Sequence, residues 1–134
     1  MKNKDINSLF SFIDASPTPY HAVENMLHTL KSHKGIELKE NEDWDCKAGR
    51  LYYVTRNDAS IIAFRIPIII DFSKIAYNMV AAHTDSPCLK LKPVKKDKTA
   101  NYMQWGVDIY GGPLLNSWLD RDLNISGRIN YIHK

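Results

Sequence analysis

One short stretch gathers residue types able to do chemistry: Met79-Val80-Ala81-Ala82-His83-Thr84-Asp85-Ser86-Pro87. The part from Tyr77 to Ala82 is nearly all apolar, as expected of a strand buried on both faces. It ends in His-x-Asp, and Ser86-Pro87 halts it at once. Ligands in α/β proteins collect at the carboxyl ends of strands, where His83 and Asp85 would then stand. Imidazole is the commonest neutral metal ligand, and a nearby carboxylate can orient it or polarise a bound water. The alternative for the same residues is a capped strand end with a hydrogen-bonded histidine. A catalytic zinc takes three protein ligands plus water, so one histidine leaves such a site incomplete.

The remaining polar clusters read as surface. His21 and His28 lie seven residues apart on one helical face with Glu24 between them. Paired ligands on a helix are usually three or four apart, so this is read as a polar stripe. His33 and His133 fall near element or chain ends and are expected to be exposed. Lys90, Lys92, Lys95, Lys96 and Lys98 form a basic run of the solvated kind. Asp120, Arg121 and Asp122 are expected to form an ion-paired turn, and Gly111-Gly112 allows positive φ or close backbone approach. GxGxxG, P-loop, GxSxG and HExxH patterns are all missing.

The elements that must position His83 and Asp85 follow from periodicity. Ile6, Leu9, Phe10 and Ile13 make one helical stripe, and Tyr20, Val23, Leu27 and Leu30 a second. Between them Ser16-Pro17-Thr18-Pro19 breaks the chain, with Thr18 as N-cap, Pro19 at the first helical position and Gly35 as the stop. An acidic connection over 35–45 follows, with at most a short strand near Ile36 to Leu38. Leu51–Thr55 and Ile61–Ile66 predict a hairpin around Arg56–Ser60, and Pro67 limits its second strand. Leu89, Leu91 and Val94 alternate with lysines as in a strand with one wet face. Asp108–Pro113 is expected to be a turn, and Gly127–Ile132 another strand.

Composition removes whole classes of function. With 134 residues, 44% hydrophobic and 25% charged, the chain is a folding sequence and not a disordered one. A net charge of +3, without a concentrated basic stripe, argues against a nucleic-acid partner. Cys46 and Cys88 make neither a CxxC pair nor a disulfide framework and are read as reduced thiols of a cytosolic protein. The N-terminus has no long apolar core after its lysines, so no signal peptide is expected. Ile61 to Phe72 is too short to span a bilayer and carries Arg65, so no membrane association is expected.

Four motifs in order carry a resemblance: Ser16-Pro17-Thr18-Pro19-Tyr20-His21-Ala22-Val23, Ala81-Ala82-His83-Thr84-Asp85-Ser86-Pro87, Tyr110-Gly111-Gly112 with Trp118-Leu119-Asp120-Arg121-Asp122-Leu123, and Gly127-Arg128-Ile129. Together they resemble the M18 family of zinc metalloaminopeptidases, the aspartyl aminopeptidase-like enzymes. The resemblance implies an α/β fold. Residues 1–88 would be the first segment of the catalytic domain, and 89–134 the start of an inserted, β-rich dimerisation domain. It implies that His83 is a zinc ligand of a two-metal site and that Asp85 is the catalytic carboxylate orienting that ligand or the water. The implied reaction releases an N-terminal residue, often acidic, from peptides by a zinc-activated water and a glutamate base. It also implies homo-oligomers, dimers or dodecamers, in the cytoplasm.

Nothing in the sequence matches the family's later segment, with its bridging aspartate, glutamate pair, further aspartate and last histidine. No glutamate lies beyond Glu42. The expectation is therefore an N-terminal fragment that is inactive alone. The competing readings are a non-catalytic assembly module that pairs with full-length aminopeptidase subunits, and a self-standing binding domain.

Overall fold

The computed structural model describes residues 2–69, 73, 76–93, 97–99 and 102–133. They fall into two compact units, Met1–Thr84 with Ser126–Lys134, and Asp85–Ile125.

The first unit opens with α1 (Lys2–Asp14) and α2 (Pro19–Ser32), separated by the proline break. Thr18 caps α2 from extended backbone (φ −141°, ψ 162°) and accepts the N–H of His21, with Pro19 in the first turn. Asn25 Nδ2 donates to the Ala15 carbonyl (2.9 Å) and Ser16 Oγ (3.1 Å), so a side chain of α2 fixes the break itself. At the other end Lys34, not Gly35, takes the left-handed backbone (φ 59°). Its N–H meets the Lys31 carbonyl at 3.0 Å and the Gly35 N–H meets that of Leu30 at 2.8 Å, the double closure of a Schellman motif. Glycine is required at 35 for space: a Cβ there would lie 2.9 Å from the Leu30 carbonyl oxygen and 3.2 Å from Tyr53 Cδ1.

Three strands follow in the order β1 (Ile36–Glu37), β2 (Leu51–Arg56) and β3 (Ser60–Arg65). β1 runs parallel to β2, and β2 and β3 form the expected hairpin, with Leu51 opposite Arg65 and Arg56 opposite Ser60. Asn57 (φ 53°) and Asp58 (φ 54°) turn the chain, and the Ala59 N–H bonds the Arg56 carbonyl, the pattern of a type I′ turn. β3 stops two residues short of Pro67, which cannot donate to a ladder. Among the described residues, Tyr52, Tyr53 and Val54 on β2 and Ala22 and Val23 on α2 are the buried apolar ones. The acidic connection is fastened to this hairpin. Glu40 grips Arg56 through two bonds (2.9 and 2.6 Å), Trp44 stacks on Phe64 at 6.2 Å, and Tyr52 Oη accepts the Lys47 N–H at 2.8 Å.

Two expected strands do not form. Tyr77–Ala82 is irregular, with Tyr77, Met79 and Val80 exposed by 85, 85 and 98%. Gly127–Ile132 is likewise irregular, with Ile129 86% and Ile132 92% exposed. A strand covered on both faces needs a ladder partner and packing layers, and among the described residues no strand pairs with either segment.

The second unit is β-rich: β4 (Cys88–Leu91), β5 (Asp97–Thr99), β6 (Tyr102–Gln104) and β7 (Val107–Tyr110), then a 3-10 turn at Leu115–Ser117. β4 pairs antiparallel with β7, Cys88 opposite Tyr110 and Leu91 opposite Val107, while β5 pairs with β6. The expected alternation at Leu89 and Leu91 belongs to β4. Val94, Lys95 and Lys96 lie outside the described residues, as do Ile70 to Phe72 and the side chain of Lys98. The turn expected over Asp108–Pro113 begins only at Gly111 (φ 74°), because the ladder with β4 holds Asp108–Tyr110 extended. The architecture is α/β, helices and sheet in one unit and hairpins in the other.

Candidate active site

His83 and Asp85 flank the boundary between the two units along the chain, His83 in the irregular segment that closes the first and Asp85 opening the second. His83 is exposed, while Thr84 and Asp85 are half-buried. No described strand lies beneath His83, and contacts of its neighbours in sequence tie the segment to each unit.

Within the first unit that contact is Thr84. Its hydroxyl donates to the Ala59 carbonyl at 2.8 Å, pinning the segment to the β2–β3 turn. The same turn holds Arg128. The guanidinium donates to the Asn57 carbonyl at 3.0 Å, lies 3.5 Å from the Asp58 carboxylate and stacks 4.4 Å from the centre of the Tyr20 ring. Three of the four sequence motifs therefore meet at one hairpin tip: Tyr20 from the first, Thr84 from the second and Arg128 from the last. Positive φ at Asn57 and Asp58 turns the tip sharply and leaves its carbonyls available to these two donors.

Within the second unit Asp85 Oδ2 accepts the Tyr110 hydroxyl at 2.5 Å. Accepting this bond as a carboxylate, Asp85 holds the Tyr110 phenol above its ordinary value of 10.0, and its negative charge adds to the effect. Lys90 Nζ sits 3.8 Å from the centre of the same ring, the diagonal cross-strand placement of β4 on β7. Gly111, at positive φ, comes so close to Pro87 that a Cβ would lie 3.3 Å from its Cα.

The other histidines sit in helix caps or at the surface. His21 Nδ1 is 2.7 Å from Thr18 Oγ1 in the cap of α2, and His28 is exposed. His33 Nδ1 is 2.9 Å from the Thr29 carbonyl at the end of α2, and His133 is exposed. Lys92 pairs with Asp108 at 3.0 Å. Arg121 reaches back to the Ser117 carbonyl (3.4 Å) instead of to Asp120 or Asp122, which corrects the expected ion-paired turn. Sequence reasoning does not single out Tyr110, Lys90 or Arg128 as partners of the site. The first two become neighbours only through the β4–β7 register, and the third through a hairpin 71 residues upstream.

The family model for Aminopeptidase I zinc metalloprotease (M18) matches residues 12–134. This chain belongs to the M18 aminopeptidase family. It is 43% identical to a probable M18 family aminopeptidase 2 of Ectopseudomonas mendocina, a match covering 98% of this chain and 30% of the relative. The chain thus spans about three tenths of the length of the curated relatives it matches. Among solved structures, the Ape4 and Nbr1 complex aligns with TM-score 0.78 and 44% identity, covering 84% of this chain and 22% of that one. The S. cerevisiae mApe1 dodecamer aligns with TM-score 0.69 and 32% identity, covering 91% and 29%.

M18 membership implies zinc. His83 and Asp85 are donor types that a catalytic zinc takes. Among the described residues no three His, Cys, Asp or Glu side chains gather around one point. The donor chemistry therefore fits in part, with His83 the residue that would hold the ion.

Proposed function

We propose that this chain supplies the histidine-bearing part of a zinc aminopeptidase that releases N-terminal, acidic residues from peptides. The observation that carries the reading is the M18 match over residues 12–134, which includes His83-Thr84-Asp85. In this reading His83 is a ligand of a two-metal site and Asp85 the catalytic carboxylate. When bound, zinc supplies a polarised water for peptide-bond hydrolysis. The chain's own residues hold the parts in place: Thr84 fastens the histidine's segment to the hairpin tip, and Tyr110 fastens the carboxylate. Within these 134 residues no glutamate follows Glu42, so the reading finds no glutamate base among them after His83. These 134 residues are accordingly inactive alone.

The same reading divides the chain into a catalytic segment over 1–88 and an inserted dimerisation segment over 89–134. The β-rich second unit supports it, while Ser126–Lys134 groups with the first unit. Homo-oligomerisation is part of the proposal, supported by the dodecameric S. cerevisiae neighbour. So is a cytoplasmic location: both cysteines are free, and no helix among the described residues is long and apolar enough to cross a membrane. The test is zinc stoichiometry of the purified chain, with aminopeptidase turnover of peptides beginning in aspartate or glutamate. The expected result is no tightly held zinc and no turnover. Stoichiometric zinc lost in His83→Ala, together with turnover, would overturn the claim of inactivity. Tight zinc unaffected by His83→Ala would overturn the site.

A further inference from the structure

We propose that Tyr110 is a positioning residue for Asp85, its hydroxyl fixing the carboxylate while Lys90 braces the ring. The proposal rests on the reading of His83 and Asp85 given above. The hydroxyl donates to Asp85 Oδ2, a charge-assisted bond at the short end of its range. Bonded there, Oδ2 is held in place and the range open to the rest of the carboxylate narrows. Asp85 lies on no helix or strand.

The ring is well placed to impose that restriction. Tyr110 is the last residue of β7, opposite Cys88, and Lys90 lies across one face. One residue on, Gly111 packs against Pro87. The Asp-Ser-Pro end of one motif is thus fastened at two points, 85 and 87, to the Tyr-Gly start of another, 110 and 111. Two motifs that are 25 residues apart act as one piece. That accounts for the pairing of a tyrosine with the glycine turn, which packing alone does not require of a half-open ring.

The test uses the full chain and zinc alone, following the imidazole signals of His83 by NMR as zinc is added to millimolar concentration. Weak binding suffices, because an incomplete shell still leaves the imidazole able to respond. His83→Ala is expected to remove the response. Outer partners of metal ligands typically change affinity by about 10–100-fold, so Asp85→Asn should weaken binding by about tenfold and Tyr110→Phe by about threefold or more. The double variant should bind no more weakly than Asp85→Asn, since the hydroxyl acts only through the carboxylate. Phenylalanine keeps the ring and the strand, so a mere packing role would leave the affinity unchanged. If Tyr110→Phe binds like wild type while Asp85→Asn weakens, the proposal falls and the metal reading stands. If His83 ignores zinc in the wild type, or His83→Ala and Asp85→Asn leave binding unaltered, the metal reading falls and takes the proposal with it.

Discussion

Replacing Arg128 by methionine tests whether the hairpin tip holds the motifs together. Methionine keeps an unbranched apolar stem and removes only the guanidinium. Three contacts go with it: the bond to the Asn57 carbonyl at 3.0 Å, the Asp58 pair at 3.5 Å and the stack on Tyr20 at 4.4 Å. The hydrogen bond should be worth about 1 kcal/mol and the exposed cation–π contact about 0.5. The ion pair adds little, since the Asp58 side chain is 80% exposed and such pairs contribute about 0–1 kcal/mol. The expected loss is about 1.5–2 kcal/mol in urea-induced unfolding of the first unit, read by tryptophan fluorescence. Asp58→Asn alone should cost only a few tenths of that. A Tyr20→Leu and Arg128→Met cycle should show coupling of about 0.5 kcal/mol. An Arg128→Met loss below about 0.5 kcal/mol would refute the reasoning, because three contacts would then stabilise less than one hydrogen bond. An Asp58→Asn loss as large as that of Arg128→Met would refute it differently, because the charge pair would then outweigh the hydrogen bond and the stack.

Other substitutions check the remaining geometry. Lys34→Gly should stabilise the chain by about 0.5–1 kcal/mol by relieving the left-handed backbone, whereas Gly35→Ala should cost about 1–3 kcal/mol through its clash with Leu30, both read by chemical unfolding. Thr84→Val should cost about 1 kcal/mol and raise amide exchange over residues 82–84, with Thr84→Ser restoring both, since only the hydroxyl reaches Ala59. The Arg56 guanidinium holds Glu40 below its ordinary 4.5, so the pair's stabilisation is present above that pH and fades as pH falls through the lowered value; Glu40→Gln should flatten the acid limb of a pH–stability curve. Tyr110 is raised instead, so its contribution is complete below its ordinary 10.0 and is lost as pH rises through the higher folded value. Ultraviolet titration of its phenolate should show Asp85→Asn moving the midpoint down.

Local signals are legible in this sequence and long-range ones are not. Thr18, Pro19 and the apolar stripes define α2 because capping and periodicity are decided within a few residues. The hairpin is equally plain, with β-branched and aromatic runs on either side of a polar turn. Tyr77–Ala82 fails for the opposite reason. Its apolar pattern describes a buried strand, but burial is a property of neighbours, and Val80 stays 98% exposed when no described strand pairs with it. Gly35 marks the end of α2 as expected but for a different cause, since close approach to Leu30 and Tyr53 demands it while Lys34 makes the turn.

The candidate site follows the same division. His83 and Asp85 stand out because a histidine and a carboxylate two apart after an apolar run are visible in one line of sequence. Their supports do not, because Ala59 offers only a backbone carbonyl and Tyr110 reaches Asp85 only once β7 pairs with β4. The consequence is mechanical. His83 and Asp85 sit on a segment with no ladder of its own, fastened on one side to a hairpin turn and on the other to a strand end. Loosening either fastening should disturb the adjacent residue first. Thr84→Val therefore ought to act through His83, and Tyr110→Phe through Asp85, with each variant sparing the other's local exchange pattern. Equal effects of both variants on both residues would mean that the segment moves as a single rigid body, and the two anchors would then be redundant.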